Sequence, residues 1–467
     1  MAIVPGIVLA VALLLLMPTS PRATPTPSGW GASCAVQSAP PAARSPIQHV
    51  VWIVKENHAL ENYFGALPGV TGYPPNASLP SAFGSNASVR SFPLPGTSTP
   101  DLPHDRASEL IDLDGGRNDL FVAEARADGA LAPEDAVGYY TSSQIPAYYR
   151  YAETFALGDH YFTGVLGPTD PNRFFDLTAA SGNWTQDGHA PAALAGTPSI
   201  LGQLESAGLP WAYDYAGSPT NLTPFDLSGL TSSPCALSRM VPMSDLTSQL
   251  YSADPPALLM VDPSHDLTIS EHPPGNVSLG AAWTAGLVNA IAASPIASST
   301  VVLISWDEAG GFWDPVVPPD LPPTGDGFRV PLLVISPWTS PGIVHQTVDP
   351  ASVLQWIDAN WGLPYLNARV AGAYPLSPFF DFSRSPRALP QVSTNYSFNR
   401  TTLLGTVAPA IGGGPPSPLS VGPQLATSVG PLTVRAPSVG PGGAEGAPAP
   451  SAGSRVRRNV RKSHSPR

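Results

Sequence analysis

The sequence predicts an α/β fold with a largely parallel central sheet and long loops. Residues 47–54 (IQHVVWIV) and 301–304 (VVLI) have the β-branched, apolar character of strands buried on both faces, and each runs straight into polar residues. Residues 199–217 pass from a helical pattern, SILGQLESAG, to a strand pattern, LPWAYDY, the alternation of a layered α/β protein. Hydrophobic content of 43% supports a core, while 58 Pro and 43 Gly require many irregular connections.

At 467 residues the chain accommodates one large α/β domain or two ordinary ones. Its formal charge is −12, yet the last residues carry six positive charges, from Arg455, Arg457, Arg458, Arg461, Lys462 and Arg467. Without them 16 basic residues face 34 acidic ones, a balance of −18 that argues against nucleic acid as a partner of the body and suits a secreted protein. Residues 7–17, IVLAVALLLLM followed by Pro18, read as an export signal or an uncleaved amino-terminal anchor. The resulting organisation is a signal or anchor over 1–22, a linker over 23–45, a folded domain over 46–385 and a Pro/Gly/Ser-rich, disordered tail over 386–467. Two readings of the basic end stay open, a solvated terminus or a contact to anionic lipid, cell-wall polymer or nucleic acid, and a membrane or cell-surface contact is also open to the amino-terminal segment. Cys34 and Cys235 either pair or remain free thiols; seven Asn-X-Ser/Thr triplets, from Asn76 to Asn399, fit an exported chain.

The first strand delivers Glu56 and Asn57 at its carboxyl end, two oxygen donors suited to a hard cation, and the NYFG that follows reads as a helix closing in a glycine turn. Residues 68–103 form a surface excursion that returns at DLPHD, which contains His104. PAYYRYAETF, residues 146–155, is a helix with core-facing aromatics, and the GPTDPNR after it places Thr169 on a tight Gly-Pro turn. A Thr there either caps a helix or serves as a nucleophile held against a cation. VDPSHDLTISEHPP carries His265 and His272, a helix over 278–293 follows, and the second strand ends in Asp307 and Glu308. Open α/β sheets bind ligands beyond such strand ends, and Gly310 and Gly311 turn the backbone away; on the pair alone, a surface turn competes with a metal site. Residues 330–338 form another strand, His345 lies in GIVHQTVD as a site or loop residue, and SVLQWIDANWG is a helix.

Five blocks together are similar to a known family. HVVWIVKENHALENYFG, the stretch from Gly138 to Gly182 containing GPTDPNR, SEHPP, WDEAGGFWDPVVPP, and RVPLLVISPW with SVLQWID resemble the phosphoesterases that include bacterial phospholipases C and a group of acid phosphatases. The resemblance implies an alkaline-phosphatase-like three-layer α/β sandwich and a hydrolase of phosphate esters. By position it implies Glu56, Asn57, Asp307, Glu308 and Thr169 as ligands of one divalent metal ion, with Ca²⁺, Mg²⁺, Mn²⁺ or Zn²⁺ all compatible. It implies Thr169 as the nucleophile, and His104 and His272 as groups serving the phosphoryl oxygens and the leaving group, while His345 is a further candidate catalytic residue on its own sequence context. Two family histidines are replaced, by Pro315 and Pro350. The expected activity is an exported phosphomonoesterase of the acid-phosphatase type, with a phospholipase C and a protein that binds phosphate groups or a surface polymer without turnover as the alternatives.

Overall fold

The computed structural model describes residues 39–74, 76–217, 223–320 and 325–394, and the pairs 396–397 and 406–407. The apolar amino-terminal segment, Cys34 and the basic tail lie outside the described residues; Cys235 is disulfide-bonded.

Eight strands form the central sheet: β1 (His49–Lys55), β2 (Ala156–Gly158), β3 (Trp211–Tyr215), β4 (Met240–Pro242), β5 (Leu258–Asp262), β6 (Thr300–Trp306), β7 (Leu332–Ile335) and β8 (Gly342–Val344). Their spatial order is β8-β2-β7-β6-β1-β5-β3-β4, with every neighbouring pair parallel except the two made by β7. The sequence pattern and the position agree: β1 and β6 lie side by side at the centre, β6 buried along its whole length and β1 everywhere except His49. The Trp52 indole donates to Ser305 Oγ across that pair at 2.8 Å.

Among the described residues, helices that flank the sheet include α1 (Pro146–Thr154), α2 (Thr169–Thr178), α3 (Ile200–Ala207), α4 (Val277–Ala292) and α5 (Pro350–Trp361). α1 packs on α4 and reaches β2, β7 and β8, while α2 packs on α3 and α5, giving the helix-sheet-helix sandwich expected. The polar face of each connection explains its start and stop. Asn276 caps α4 through its side chain, and Asp349 with Ser352 forms a capping box on α5, whose first residue is Pro350.

The surface excursion at 68–103 carries short pairings, Ser78–Pro80 with Ser88–Arg90 and Phe92–Pro93 with Gly138–Tyr139. Contrary to the sequence expectation, packing does not stop at 385: Leu389 and Val392 lie against the core, Asn289 exchanges hydrogen bonds with the Val392 backbone, and the Thr394 hydroxyl donates to the Ala282 carbonyl at 3.0 Å. Apolar side chains spaced through a Pro-rich stretch cover α4 without any regular element of their own, which a periodicity reading does not detect.

Candidate functional site

Register brings the polar strand ends together. β1 and β6 are parallel with Lys55 opposite Trp306, so Glu56-Asn57 and Asp307-Glu308 leave the sheet as neighbours. The Asp307 amide donates to the Lys55 carbonyl at 3.1 Å, and the Asn57 amide donates to Asp307 Oδ1 at 3.3 Å. Asn57 turns off the strand at φ 59, a left-handed conformation asparagine tolerates. Gly310 has φ 67, and a Cβ there would stand 2.2 Å from the Asn57 carbonyl oxygen. The glycine is therefore required both by its own backbone and by the close approach of the other strand's loop. Asp307 and Glu308 are 2% and 1% exposed, which overturns the surface-turn reading of that pair.

Arg173, on α2 one turn beyond Thr169, enters this group from the side. Its guanidinium donates to Asp307 Oδ2 at 3.1 Å and to Asp262 Oδ1 at 2.8 Å, and lies 3.6 Å from Glu56 Oε1. Asp262 ends β5, the strand on the other flank of β1. Three buried carboxylates thus face one guanidinium. Burial, aided by the charges of Asp307 and Asp262, holds Glu56 well above the ordinary carboxylate range against the pull of Arg173. Burial likewise raises Asp307, despite Arg173 and the Asn57 amide, and raises Glu308 well above its usual value, helped by the Asp307 charge.

This donor set suits a divalent cation. Its negative charge exceeds the positive charge beside it, and two oxygens, Asn57 Oδ1 and Glu308 Oε1, are buried without a hydrogen-bond partner. The Asn57 amide orientation follows from its neighbours. His104 Nδ1 sits 2.6 Å from the Leu102 carbonyl and must donate to it, so His104 Nε2 accepts from Asn57 Nδ2 at 3.1 Å and leaves Asn57 Oδ1 free. Glu56, Asp307 and Glu308 do not converge on one point as they stand; Arg173 draws Asp307 and Glu56 together while Glu308 turns toward Gly310 and His104.

In front of these groups lies a cavity of about 540 Å³, lined among others by Glu56, Thr169, Asp170, Arg173, His265 and His272. Thr169 is the first residue of α2 and Pro168 occupies the N-cap, so Thr169 does not cap that helix with its side chain. The amide end of α2 opens here, a setting favourable to a phosphoryl anion. Burial pushes Asp170 up to about 6, against the Gly188 amide that donates to it at 2.7 Å. His272 Nδ1 donates to the Pro273 carbonyl at 2.6 Å, which leaves Nε2 as the acceptor in the neutral ring. Its chain position is fixed by the preceding residue: Glu271 pairs with buried Lys55 at 3.0 Å and accepts from the hydroxyls of Tyr63 and Tyr148 at 2.5 Å each. His104 lines an adjoining cavity that shares Asp187 with the first, and its ring centre is 5.8 Å from that of His272.

His345 is not brought to this place. It follows β8, the edge strand three positions from β6, a separation of roughly 14 Å at ordinary strand spacing, and its ring meets Asp159 instead. The two substituted positions are also elsewhere. Neither Pro315 nor Pro350 lines the cavity, Asp314 beside the first is bound by Arg329 at 2.7 Å, and Asp349 caps α5. Sequence reasoning missed Arg173 and Asp262. Both had a signal: Arg173 is four residues after Thr169, hence on the same helix face, and Asp262 ends a strand as Glu56 and Asp307 nearly do.

A model of the Phosphoesterase family matches residues 47–364. Phospholipase C A of Mycobacterium tuberculosis is 27% identical over 394 residues, covering 70% of this chain and 75% of that protein. Non-hemolytic phospholipase C of Burkholderia pseudomallei is 27% identical over 437 residues, covering 74% of this chain and 60% of its own length. Non-specific phospholipase C6 of Arabidopsis thaliana is 28% identical over 344 residues, covering 64% of each. Among solved structures, a protein in the alkaline phosphatase superfamily from Vibrio parahaemolyticus overlays with a TM-score of 0.38 at 11% identity, covering 72% of each chain.

Proposed function

This chain belongs to the Phosphoesterase family, and from that premise we propose a reaction for its cavity. The protein is a phosphoric ester hydrolase. Thr169 is the nucleophile. Its Oγ attacks phosphorus, the bond from phosphorus to the leaving oxygen breaks, and the hydroxyl proton passes to a cavity carboxylate. His272 in its protonated form gives its Nε2 proton to the departing alkoxide, a contribution of about 10²–10⁴-fold for a well-placed acid, and takes a proton back from the attacking water while the carboxyl group returns one to Thr169 Oγ. Water then releases phosphate from the phosphothreonine, so ester and water become phosphate and alcohol.

Glu56, Asn57, Asp307 and Glu308 would hold one divalent cation with the Thr169 hydroxyl beside it, supplying a Lewis acid that polarises the phosphoryl group and lowers the proton affinity of that hydroxyl. Arg173 positions two of these carboxylates, and the α2 amides favour the phosphoryl oxygens. The observation that carries this reading is the meeting of Thr169, Glu56, Arg173 and His272 in one cavity at the strand ends.

Two substrate classes fit, a soluble phosphomonoester of the kind acid phosphatases take and a phospholipid diester of the kind the relatives' names imply. We also place the enzyme outside the cytoplasm, on the apolar stretch at residues 7–17, with a membrane or cell-surface contact through that stretch or the basic end. Among the described residues no helix is long and apolar enough to cross a membrane.

The test is turnover of a chromogenic monoester and of phosphatidylcholine by wild type, Thr169→Ala and Asp307→Asn. Thr169→Ala should lose at least about 10³-fold in kcat and trap no phosphothreonine in acid-quenched samples. Turnover by Thr169→Ala within tenfold of wild type sinks the nucleophile assignment, and the ratio of the two substrates decides between monoester and diester.

A further inference from the structure

A second mixed-donor cluster stands on the same sheet edge, away from the cavity. Asp159 follows β2, His160 follows Asp159, and His345 follows β8; β2 and β8 are parallel neighbours with Val344 opposite Gly158. His160 Nδ1 lies 2.9 Å from Asp159 Oδ1, and His345 Nδ1 lies 2.9 Å from both oxygens of the same carboxylate. The candidate donor atoms of the three residues all fall within 4.8 Å of one another, and the two rings are edge to face at 6.1 Å.

We propose that Asp159, His160 and His345 form a second cation site, selective for a borderline transition-metal ion of the zinc type and chemically distinct from the oxygen-only set at Glu56 and Asp307. The donor spacing supports this. With metal–nitrogen and metal–oxygen bonds of about 2.0–2.2 Å, neighbouring ligands subtending 90–110° stand about 2.8–3.6 Å apart, the range in which these nitrogens already meet the carboxylate. Two imidazoles with one carboxylate favour Zn²⁺ or Co²⁺ over Ca²⁺ or Mg²⁺, which prefer all-oxygen shells.

The carboxylate is also held the way a ligand is held. The Asp159 side chain is fully buried; its Oδ2 accepts the Thr71 amide at 2.8 Å, and its carbonyl accepts Arg329 Nη1 at 2.8 Å. His345, by contrast, is 56% exposed, so an ion has a path in from solvent and open positions for water. Without an ion the two Nδ1 atoms donate protons to the carboxylate; on binding, each proton moves to solvent or to Nε2 and the freed lone pairs turn to the metal. Occupation ties β8, whose main-chain pairing is limited to three residues of β2, to the strand beside it.

The experiment uses the full chain without an affinity tag, stripped of metal and dialysed against Zn²⁺, with Co²⁺ absorption in the visible range as the second readout. His160→Ala/His345→Ala should bind one fewer equivalent of Zn²⁺ than wild type and lose the Co²⁺ band of a nitrogen-bearing site. Asp307→Asn should retain that band, so a failure of the first site leaves this measurement readable. His345→Ala alone, at an exposed position that the fold does not need, should weaken Zn²⁺ binding at this site at least about tenfold. Equal Zn²⁺ stoichiometry and an unchanged Co²⁺ spectrum in wild type and the double variant overturn the proposal. So does loss of the band only in Asp307→Asn.

Discussion

Replacing Arg173 with methionine tests whether the carboxylate group at the strand ends is built for a cation. The Arg173 side chain is 5% exposed, and the oxygens it faces belong to Glu56, Asp262 and Asp307, whose side chains are 6%, 3% and 0% exposed. Removing one partner of a buried ion pair costs about 3–5 kcal/mol, because the remaining charges have lost their counterion. At roughly 2 °C per kcal/mol, the midpoint of thermal unfolding in chelator at pH 8 should fall by about 6–10 °C. The loss should shrink in acid. Burial already raises Glu56 and Asp307, and without the guanidinium they rise further, so the folded state takes up protons as the pH falls and recovers stability down to the unfolded carboxylate range near 4. A divalent cation supplies the missing charge by another route. Millimolar Ca²⁺ or Mn²⁺ should therefore raise the midpoint more in Arg173→Met than in wild type. Calorimetry at pH 5 and pH 8, with chelator and with cation, reads all of this. A deficit equal at both pH values and unmoved by cations would show that Arg173 acts through packing and its bonds to the Val54 and Lys55 carbonyls, and the cation argument would fail.

Two further outcomes follow from single contacts. Gly310→Ala places a Cβ 2.2 Å from the Asn57 carbonyl oxygen at φ 67, so stability should drop by about 2–4 kcal/mol in urea unfolding and the affinity for the first cation at least tenfold; a variant with wild-type cation affinity would detach Asn57 from that site. Asp326 is lifted to about 7 by burial and by the adjacent Asp349 charge, in spite of Arg369, so its charged form opposes folding above pH 7 and that penalty vanishes as pH falls below the unfolded value near 4. Asp326→Asn should accordingly gain about 4 kcal/mol at pH 8 and about 1 kcal/mol at pH 4.5 in matched denaturant titrations, and an equal gain at both would refute the assignment.

What the sequence disclosed and what it withheld divide along a physical line. Residues 47–54 and 301–304 announced buried parallel strands because burial on both faces leaves no alternative composition, and the polar residues after them announced a site because a sheet's carboxyl edge is where such residues have a use. Family-like blocks added Thr169 and His272, and the fold seats both in one cavity with Glu56. Charge balance was not legible, since it depends on which side chain from a distant element arrives beside the carboxylates. Arg173 and Asp262 were in quoted stretches, yet only three-dimensional proximity shows that one guanidinium stands among Glu56, Asp262 and Asp307. His345 shows the converse. Its sequence context left it open as a site or loop residue, and the short strand before it is an edge strand, three positions away, where it makes a separate group with Asp159 and His160. One edge of a parallel sheet can thus carry two chemically different donor sets, oxygen-rich at the centre and nitrogen-bearing at the rim, because the order of strands in space rather than in the chain decides which loops meet.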